Sequence, residues 1–339
     1  MTTDLVLIAG EKNTTGIFPE VILCIMKVRN EILRIRSVLD HHRMLGIDRF
    51  FIVDNGSEDG TVEFLEGQPD VALFVAHKDY KVSHAGLDWV HSILDTFCEG
   101  RWSLIVDADE LFIYPHFEDH SLGTLCKFLD KFDHKAMLAI MVDMYSKAPI
   151  AETVHQQMVS LLDECKYFDP GPYDIYPSPD FPFIKIRGGP RRRCFWDSSA
   201  NGRPPALSKV PLINWQRGYR YISSTHTMSP APARETIPEI CGALLHFKFL
   251  NDFHHRAKIE TDREQRYANA IQYKQYLKKM DENPTMNLYY GGSIEYRNSK
   301  TLIEHRLIRS VTEWDKICSR SNVLGDRRHP RCASTEQDH

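Results

Sequence analysis

Between Val21 and Val106 the chain alternates four short apolar runs with segments of helical spacing, and this alternation restricts the fold more than any other feature. Val21–Met26, Phe50–Val53, Val71–Val75 and Trp102–Val106 are short, rich in β-branched and aromatic residues, and bounded by polar ones. Runs of that length read as strands buried on both faces. Between them, Ile32, Ile35, Val38, Leu39, His42 and Leu45 recur at helical spacing after Asn30, with Gly46 as the stop. Thr61–Leu65 reads as a short helix, and Ala85–Cys98 as a longer one with Leu87, Val90, Leu94 and Phe97 on one face. Strands separated by helices predict an α/β fold with a mostly parallel, doubly wound sheet and helices on both faces.

Ligands of such sheets bind beyond the carboxyl ends of the strands. Two of the predicted strands end in acid there. Phe50–Val53 runs into Asp54-Asn55-Gly56-Ser57, and Trp102–Val106 into Asp107-Ala108-Asp109-Glu110. Three carboxylates within four residues repel one another unless something positive neutralises them. A divalent cation bearing a diphosphate does so, and hard oxygen ligands point to Mg²⁺ or Mn²⁺.

Further along, Met137–Met144 reads as a fifth strand, and Tyr219–Thr225 and Ala243–Phe249 as alternating strands. Residues 165–205 are rich in Pro, Gly, Tyr and Asp and read as loops over the sheet. Phe253–Met280 reads as a polar, mostly exposed helical stretch. No repeat or break in composition divides the chain. The expected organisation is one domain over 1–320, with segments 20–115 and 116–250 followed by a helical extension over 251–320, and 321–339 as a disordered tail.

The 339 residues carry a formal net charge of −4, which argues against a general nucleic-acid binder. No apolar run approaches the roughly 20 residues of a membrane-spanning helix, and Met1–Glu20 lacks the pattern of a secretory signal. The eight cysteines are scattered without a Cys-x-x-Cys pair, so reduced thiols are expected. A cytoplasmic location, with peripheral membrane contact through a surface patch left open, is the expectation from these features.

Three blocks now stand in order: Lys27-Val28-Arg29-Asn30-Glu31, Phe51-Ile52-Val53-Asp54-Asn55-Gly56-Ser57-Glu58-Asp59-Gly60-Thr61, and Val106-Asp107-Ala108-Asp109-Glu110. Together they resemble the nucleotide-binding half of family 2-like glycosyltransferases with the GT-A fold. The match is to the subgroup with Asn-Glu, then His-His-x-x-x-Gly (here His41 to Gly46), then Asp-Asn-x-Ser-x-Asp-Gly-Thr. It covers residues 20–115 strongly and 180–250 loosely, and implies that the 1–320 domain is catalytic, with 20–115 as its nucleotide-binding half and 116–250 as its acceptor half.

The resemblance implies a GT-A-type fold and transfer of a sugar from a nucleotide-sugar, with UDP-sugar as default, to a glycan or lipid-linked hydroxyl. It implies that Asp109 ligates Mn²⁺ or Mg²⁺ directly, while Asp107 meets the metal through water or contacts the ribose. Asp54 is expected at the base or ribose, and Lys27, Asn30 and Glu31 beside the nucleotide. Glu110 is expected behind the metal or turned toward the acceptor. A late-strand histidine often joins the metal in this fold; His246 is preferred, since Lys248 on the same predicted strand face would reach a phosphate, with His226 as the other candidate. Arg191, first of three arginines after Gly188-Gly189-Pro190, is expected at the donor diphosphate or an anionic acceptor.

One departure stands out. The family's acceptor-activating Glu-Asp pair aligns near Leu207-Ser208-Lys209-Val210, where no acid stands. Asp143 is the first substitute for the catalytic base, with Asp174, Asp180 and Asp197 behind it, and Lys209 is free to contact the donor. Three rival readings follow. A nucleotidyltransferase needs a glycine-rich loop after the first strand, and Lys27–Glu31 contains none. An Asp-x-Asp phosphohydrolase places that motif after the first strand rather than the fourth. A nucleotide-sugar-binding or scaffold protein is compatible with the missing acid pair.

Overall fold

The computed structural model describes residues 4–156, 158–196, 202–222, 224–263 and 267–323. Its strands are β1 (Leu5–Ala9), β2 (Leu23–Val28), β3 (Arg49–Asp54), β4 (Val71–Ala76), β5 (Trp102–Ile105), β6 (Glu110–Ile113), β7 (Ala136–Asp143), β8 (Tyr167–Phe168), β9 (Tyr173–Pro177), β10 (Ile184–Gly188), β11 (Ser208–Asn214), β12 (Gly242–His246) and β13 (Ile294–Glu295). The α-helices are α1 (Ile35–Met44), α2 (Thr61–Glu66), α3 (Leu87–Phe97), α4 (Leu122–Lys131), α5 (Leu161–Glu164), α6 (Phe253–Arg263), α7 (Tyr267–Glu282), α8 (Ser299–Glu304) and α9 (Thr312–Val323).

Nine strands form one sheet in the order β1-β4-β3-β2-β5-β11-β7-β12-β6. β2, β3, β4 and β5 pair in parallel, as do β7 and β12, whereas β1, β11 and β6 run against their neighbours. The sheet is therefore mainly parallel in strand direction, as the alternation predicts. Both faces are covered. Along β2, Cys24 and Met26 pack with Val38 and Leu39 of α1, while Leu23 and Ile25 pack with Val90 and Leu94 of α3. Continuous apolar runs, rather than alternating ones, are the consequence of burying both faces.

The order of strands places one end of the sheet at the centre of interest. The chain leaves β5 and enters β6 at the opposite edge, so residues 106–109 run along the end where β2, β7 and β12 finish and β11 begins. In register, Glu110 of β6 stands beside His246 of β12, and His246 beside Asp143 of β7. Three ionisable groups thus share one row.

Several elements differ from the sequence reading. β1 was not anticipated; it adds an antiparallel edge to β4, and Gly10 after it has φ 74°, where a Cβ would meet the Val71 carbonyl oxygen at 1.8 Å. Only glycine fits there. Helix α1 begins at Ile35 rather than directly after Asn30, because Asn30 itself adopts φ 55°. The 165–205 region contains the β9–β10 hairpin and a π-helical turn, Arg191–Phe195, instead of loops alone. The predicted strand 219–225 reduces to isolated bridges, such as Tyr221 with Met228, and Ser223 lies outside the described residues. β12 ends at His246, so Lys248 lies beyond the strand. The 253–280 stretch is two helices, α6 and α7, which bury Phe253, Ala257, Tyr276 and Met280 against the body of the protein. Of the expected disordered tail 321–339, residues 321–323 instead continue helix α9, and 324–339 lie outside the described residues. Among the described residues no helix is long and apolar enough to cross a membrane, and the seven described cysteines are unpaired.

Two adjacent histidines fasten α1 to the edge strand β6. His41 Nε2 donates to the Phe112 carbonyl at 2.8 Å, and His42 Nε2 accepts from the Phe112 N–H at 3.4 Å while its Nδ1 donates to Val38 O at 2.7 Å. The acceptor or donor at each partner fixes both tautomers. Burial keeps the rings neutral, pushing His41 down to about 4 and His42 to about 3, the latter also by repulsion from His41. Unfolded histidine titrates near about 6.5. The unfolded chain therefore takes up protons that the folded chain refuses, so this stability is complete above about pH 6.5 and is lost as pH falls toward 4. The urea midpoint is expected to fall between pH 7 and pH 5, and to fall less in His42→Gln. Equal midpoints at the two pH values in the parent protein would contradict this.

Candidate functional site

The two motif-bearing loops at the ends of β2 and β3 are tied into one unit. Asp54 accepts from the backbone N–H of Gly56 (2.9 Å) and Ser57 (3.1 Å) and from the Ser57 hydroxyl (2.5 Å). Ser57 Oγ in turn accepts from Asn30 N–H, Asn30 Oδ1 accepts from Glu58 N–H, and Thr61 Oγ1 accepts from Glu31 N–H. Asp59 accepts from Ile32 N–H and Thr61 N–H. The Asp-Asn-Gly-Ser block is thus an Asx-type turn stitched to its neighbour. Asp54 is 2% exposed with its carboxylate bonded to the turn, and Asn30 is bonded to the neighbouring loop; neither lines the cleft described next.

A cleft of about 430 Å³ opens over the strand ends. Lys27, Glu31, Asp107, Asp109, Arg191, His246 and Lys248, all singled out from sequence, line it. Its lining carries eight Lys and Arg side chains against four Asp and Glu, although the whole chain has a net charge of −4. The cleft is therefore a locally positive basin suited to an anionic ligand.

The Asp-x-Asp-Glu segment forms its floor. Lys209 of β11, 1% exposed, places Nζ 2.7 Å from Asp107 Oδ2 and within 2.8 Å of both Glu110 oxygens. Burial alone would lower the lysine pKa, yet the two carboxylates hold it well above its ordinary value. Burial alone would likewise raise Asp107, but Lys209 and Lys27 hold it far below the carboxylate range. Glu110 also accepts from the Asp107 N–H at 2.9 Å. Glu110 is fully buried and does not line the cleft, which places it behind the floor rather than at its surface. The place where the family's acid pair aligns holds a cation that neutralises the segment.

Asp109 faces a second assembly. His246 Nε2 is 3.4 Å from Asp109 Oδ2, and His246 Nδ1 is 2.7 Å from Asp143 Oδ1 and 3.1 Å from Arg191 Nη2. The carboxylate calls for a proton on Nδ1 and the guanidinium, which can only donate, for a lone pair there; the shorter carboxylate contact assigns the proton to Nδ1. Arg191 grips Asp143 with Nε and Nη2, each at 2.8 Å. Asp143 is 1% exposed and, against the cost of burial, is held at about 2 by Arg191 and His246. Expected as catalytic base, Asp143 thus has both oxygens in these bonds and does not line the cleft. Arg191 lines the cleft, but its fork is committed to Asp143 rather than to a donor diphosphate. Burial opposes the charge on His246, whereas Asp109 and Asp143 raise its pKa.

The remaining base candidates lie elsewhere. Asp174 pairs with Arg192, Asp180 closes a turn through Phe183 N–H, and neither lines the cleft; Asp197 lies outside the described residues. Lys248 sits among aromatic rings, 4.5 Å from the Tyr273 centroid and 4.9 Å from that of Tyr276, and burial lowers its pKa.

Residues unread in the sequence complete the wall. Arg256 of α6 pairs with Glu31, and Arg34 grips Asp252 through two bonds of 2.9 and 2.5 Å while donating to Phe247 O at 3.1 Å. Burial raises the Glu31 pKa, opposed by Arg256 and Arg34. From α7 come Gln272 and Tyr273, and from β10 Lys185 and Arg187, which form no ion pair among the described residues. The spacing of Arg256, Glu260 and Arg263 on one helix was a visible signal; the partner of Arg256, 225 residues earlier, was not.

The donor set fits a divalent cation in part. Asp109 and His246 present an oxygen and a nitrogen to one space, and the Asp143 contact aims the imidazole as carboxylates do for metal-bound histidines. No group of three or more His, Cys, Asp or Glu side chains able to hold a metal occurs among the described residues. Such a two-ligand site suits Mg²⁺ or Mn²⁺ that completes its shell with substrate phosphate and water.

No family model matches the chain. A glycosyltransferase family 92 protein of Arabidopsis thaliana is 26% identical over 123 residues, covering 34% of this chain and 20% of that protein. The chain thus matches about a fifth of the length of this relative. Among solved structures, S. aureus TarS (residues 1–349) aligns with TM-score 0.30 and 17% identity over 42% of this chain and 48% of that one. HddC from Yersinia pseudotuberculosis aligns with TM-score 0.27 and 9% identity over 68% and 79%.

Removing Lys209 would leave Glu110 and Asp107 charged without a buried cation. Lys209→Met is expected to cost about 3–5 kcal/mol, read from denaturant midpoints, and Glu110→Gln in the same chain to recover part of it. A loss under about 1 kcal/mol would show that the pair behaves as an exposed one.

Proposed function

We propose that the chain is a divalent-metal-dependent glycosyltransferase that moves a sugar from a nucleotide-sugar, by default a UDP-sugar, to a hydroxyl of a glycan or lipid-linked acceptor. The reading rests above all on one observation: Asp109 and His246, with Asp107 beside them, meet at the strand ends on the floor of a net-positive cleft. Local similarity to a glycosyltransferase supports it.

In this reading Asp109 and His246 hold the cation, and Asp107 approaches it through its accessible edge, its side chain being 44% exposed. The cation, when bound, neutralises charge developing on the departing diphosphate. Lys27 and Arg256 add positive potential to the wall of the cleft, and the pairing of Arg256 with Glu31 holds α6 over it. Lys209 leaves Asp107 ionised, so the floor presents a carboxylate at neutral pH. The loops at β2 and β3, stitched through Asp54, Ser57 and Asn30, supply a rigid rim.

Purified protein incubated with UDP- and GDP-sugars, Mn²⁺ and hydroxyl acceptors tests the proposal. Transfer is expected with Mn²⁺ and is expected to fall on the order of 100-fold in EDTA or in Asp109→Ala, with the melting temperature of that variant preserved. Full transfer in EDTA would overturn the metal assignment. Nucleotide-sugar binding without transfer to any hydroxyl would favour a non-catalytic binding protein.

A further inference from the structure

Sugar transfer to a hydroxyl needs a group to receive the acceptor's proton, and the cleft narrows the choice. Asp107 is bonded to Lys209, Asp109 faces His246, Glu31 is held between Arg256 and Arg34, and Glu260 lies 3.7 Å from Arg263. Asp143 and Glu110 are sealed beneath the floor.

His226 differs from all of these. It lines the cleft beside Ser208, Thr225 and Thr227, in a loop closed by Ile222 N–H bonding to Thr227 O at 3.1 Å and backed by buried Met228. Its Nδ1 lies 2.6 Å from the Ser208 carbonyl oxygen. A carbonyl can only accept, so Nδ1 carries the proton and Nε2 carries the lone pair. Nε2 has no hydrogen-bond partner among the described residues, and it is not among the buried orphaned atoms, so it opens to the cleft. The arrangement is that of a general base whose tautomer is set by a backbone carbonyl.

We infer that His226 is the general base of the transfer; this rests on the glycosyltransferase reading. The acceptor hydroxyl gives its proton to His226 Nε2, and its oxygen forms the bond to the anomeric carbon. The bond from that carbon to the diphosphate oxygen breaks, and its electron pair leaves with the nucleoside diphosphate. One displacement inverts the anomeric configuration. Burial, Lys209 and Arg191 favour the neutral ring, against Asp107 and the Ser208 bond, and place its pKa at about 4. The lone pair is therefore available at neutral pH.

The test uses the full chain with a UDP-sugar, Mn²⁺ and an acceptor that the parent protein glycosylates. His226→Ala is expected to lower kcat by about 10²–10⁴-fold, to leave the Kd for UDP with Mn²⁺ within about twofold, and to regain activity with added imidazole. His226→Gln, which keeps volume, controls for folding and is expected to lose kcat without imidazole rescue. The product is expected to be inverted. Near-parental kcat in both variants, loss of Mn²⁺-dependent UDP binding in both, or retained configuration would each overturn the role of His226 while leaving the transferase reading intact. Absence of transfer by the parent protein would remove that reading and this role together.

Discussion

Lys209 Nζ stands between the carboxylates of Asp107 and Glu110, and the end of the sheet depends on it. Without a cation there, three acids in four residues could not share a strand end with Asp143 one strand row away. A lysine emerging from β11 reaches them because β11 runs antiparallel to β5 and β7, so its first residues, not its last, arrive at the carboxyl ends of its neighbours. The antiparallel strand is therefore an electrostatic necessity of this site as well as a topological feature. Burying such a cluster is costly unless every charge is paired. Pairing is what separates the roles of the acids: Glu110 and Asp143 anchor, while Asp107 and Asp109 keep an edge toward the cleft.

A second set of ion pairs joins distant parts of the chain. Arg34, fully buried before α1, grips Asp252 just before α6, and Arg256 on α6 reaches back to Glu31. These contacts draw the α6–α7 hairpin over the rim of the cleft. The cleft is thus built from residues 27–109 below, 185–246 at the side and 248–273 above. Its positive balance comes largely from the last two groups, which explains how an acidic motif and an anionic ligand can occupy the same space.

The sequence makes the parallel half readable because β2 to β5 are buried on both faces, and continuous apolar runs separated by periodic helices have few alternatives. It also marks Asp107, Asp109 and His246 for one site, and the structure brings them together. Four things were not readable for physical reasons. Asp54 at a strand end looks the same whether it binds a ligand or caps its own turn; only the hydrogen bonds of Gly56 and Ser57 decide. Asp143 looks available as a base until Arg191, 48 residues later, takes both its oxygens. Phe253–Met280 reads as exposed because its polar residues dominate, yet several of those, Arg256 foremost, are polar for the cleft rather than for solvent. Edge strand β1, Leu-Val-Leu-Ile-Ala, is apolar throughout although Val6 and Ile8 are exposed, so its pattern does not mark it as the half-covered edge it is.

The claim on which the rest turns is that Asp109 and His246 hold a divalent cation together with a nucleoside diphosphate. Crystals soaked with UDP and Mn²⁺, with anomalous data collected above the manganese absorption edge, test it directly. The account predicts one anomalous peak in contact with Asp109 Oδ2 and His246 Nε2 and with the diphosphate oxygens. Diphosphate bound in the cleft without such a peak, or manganese held elsewhere, would contradict it.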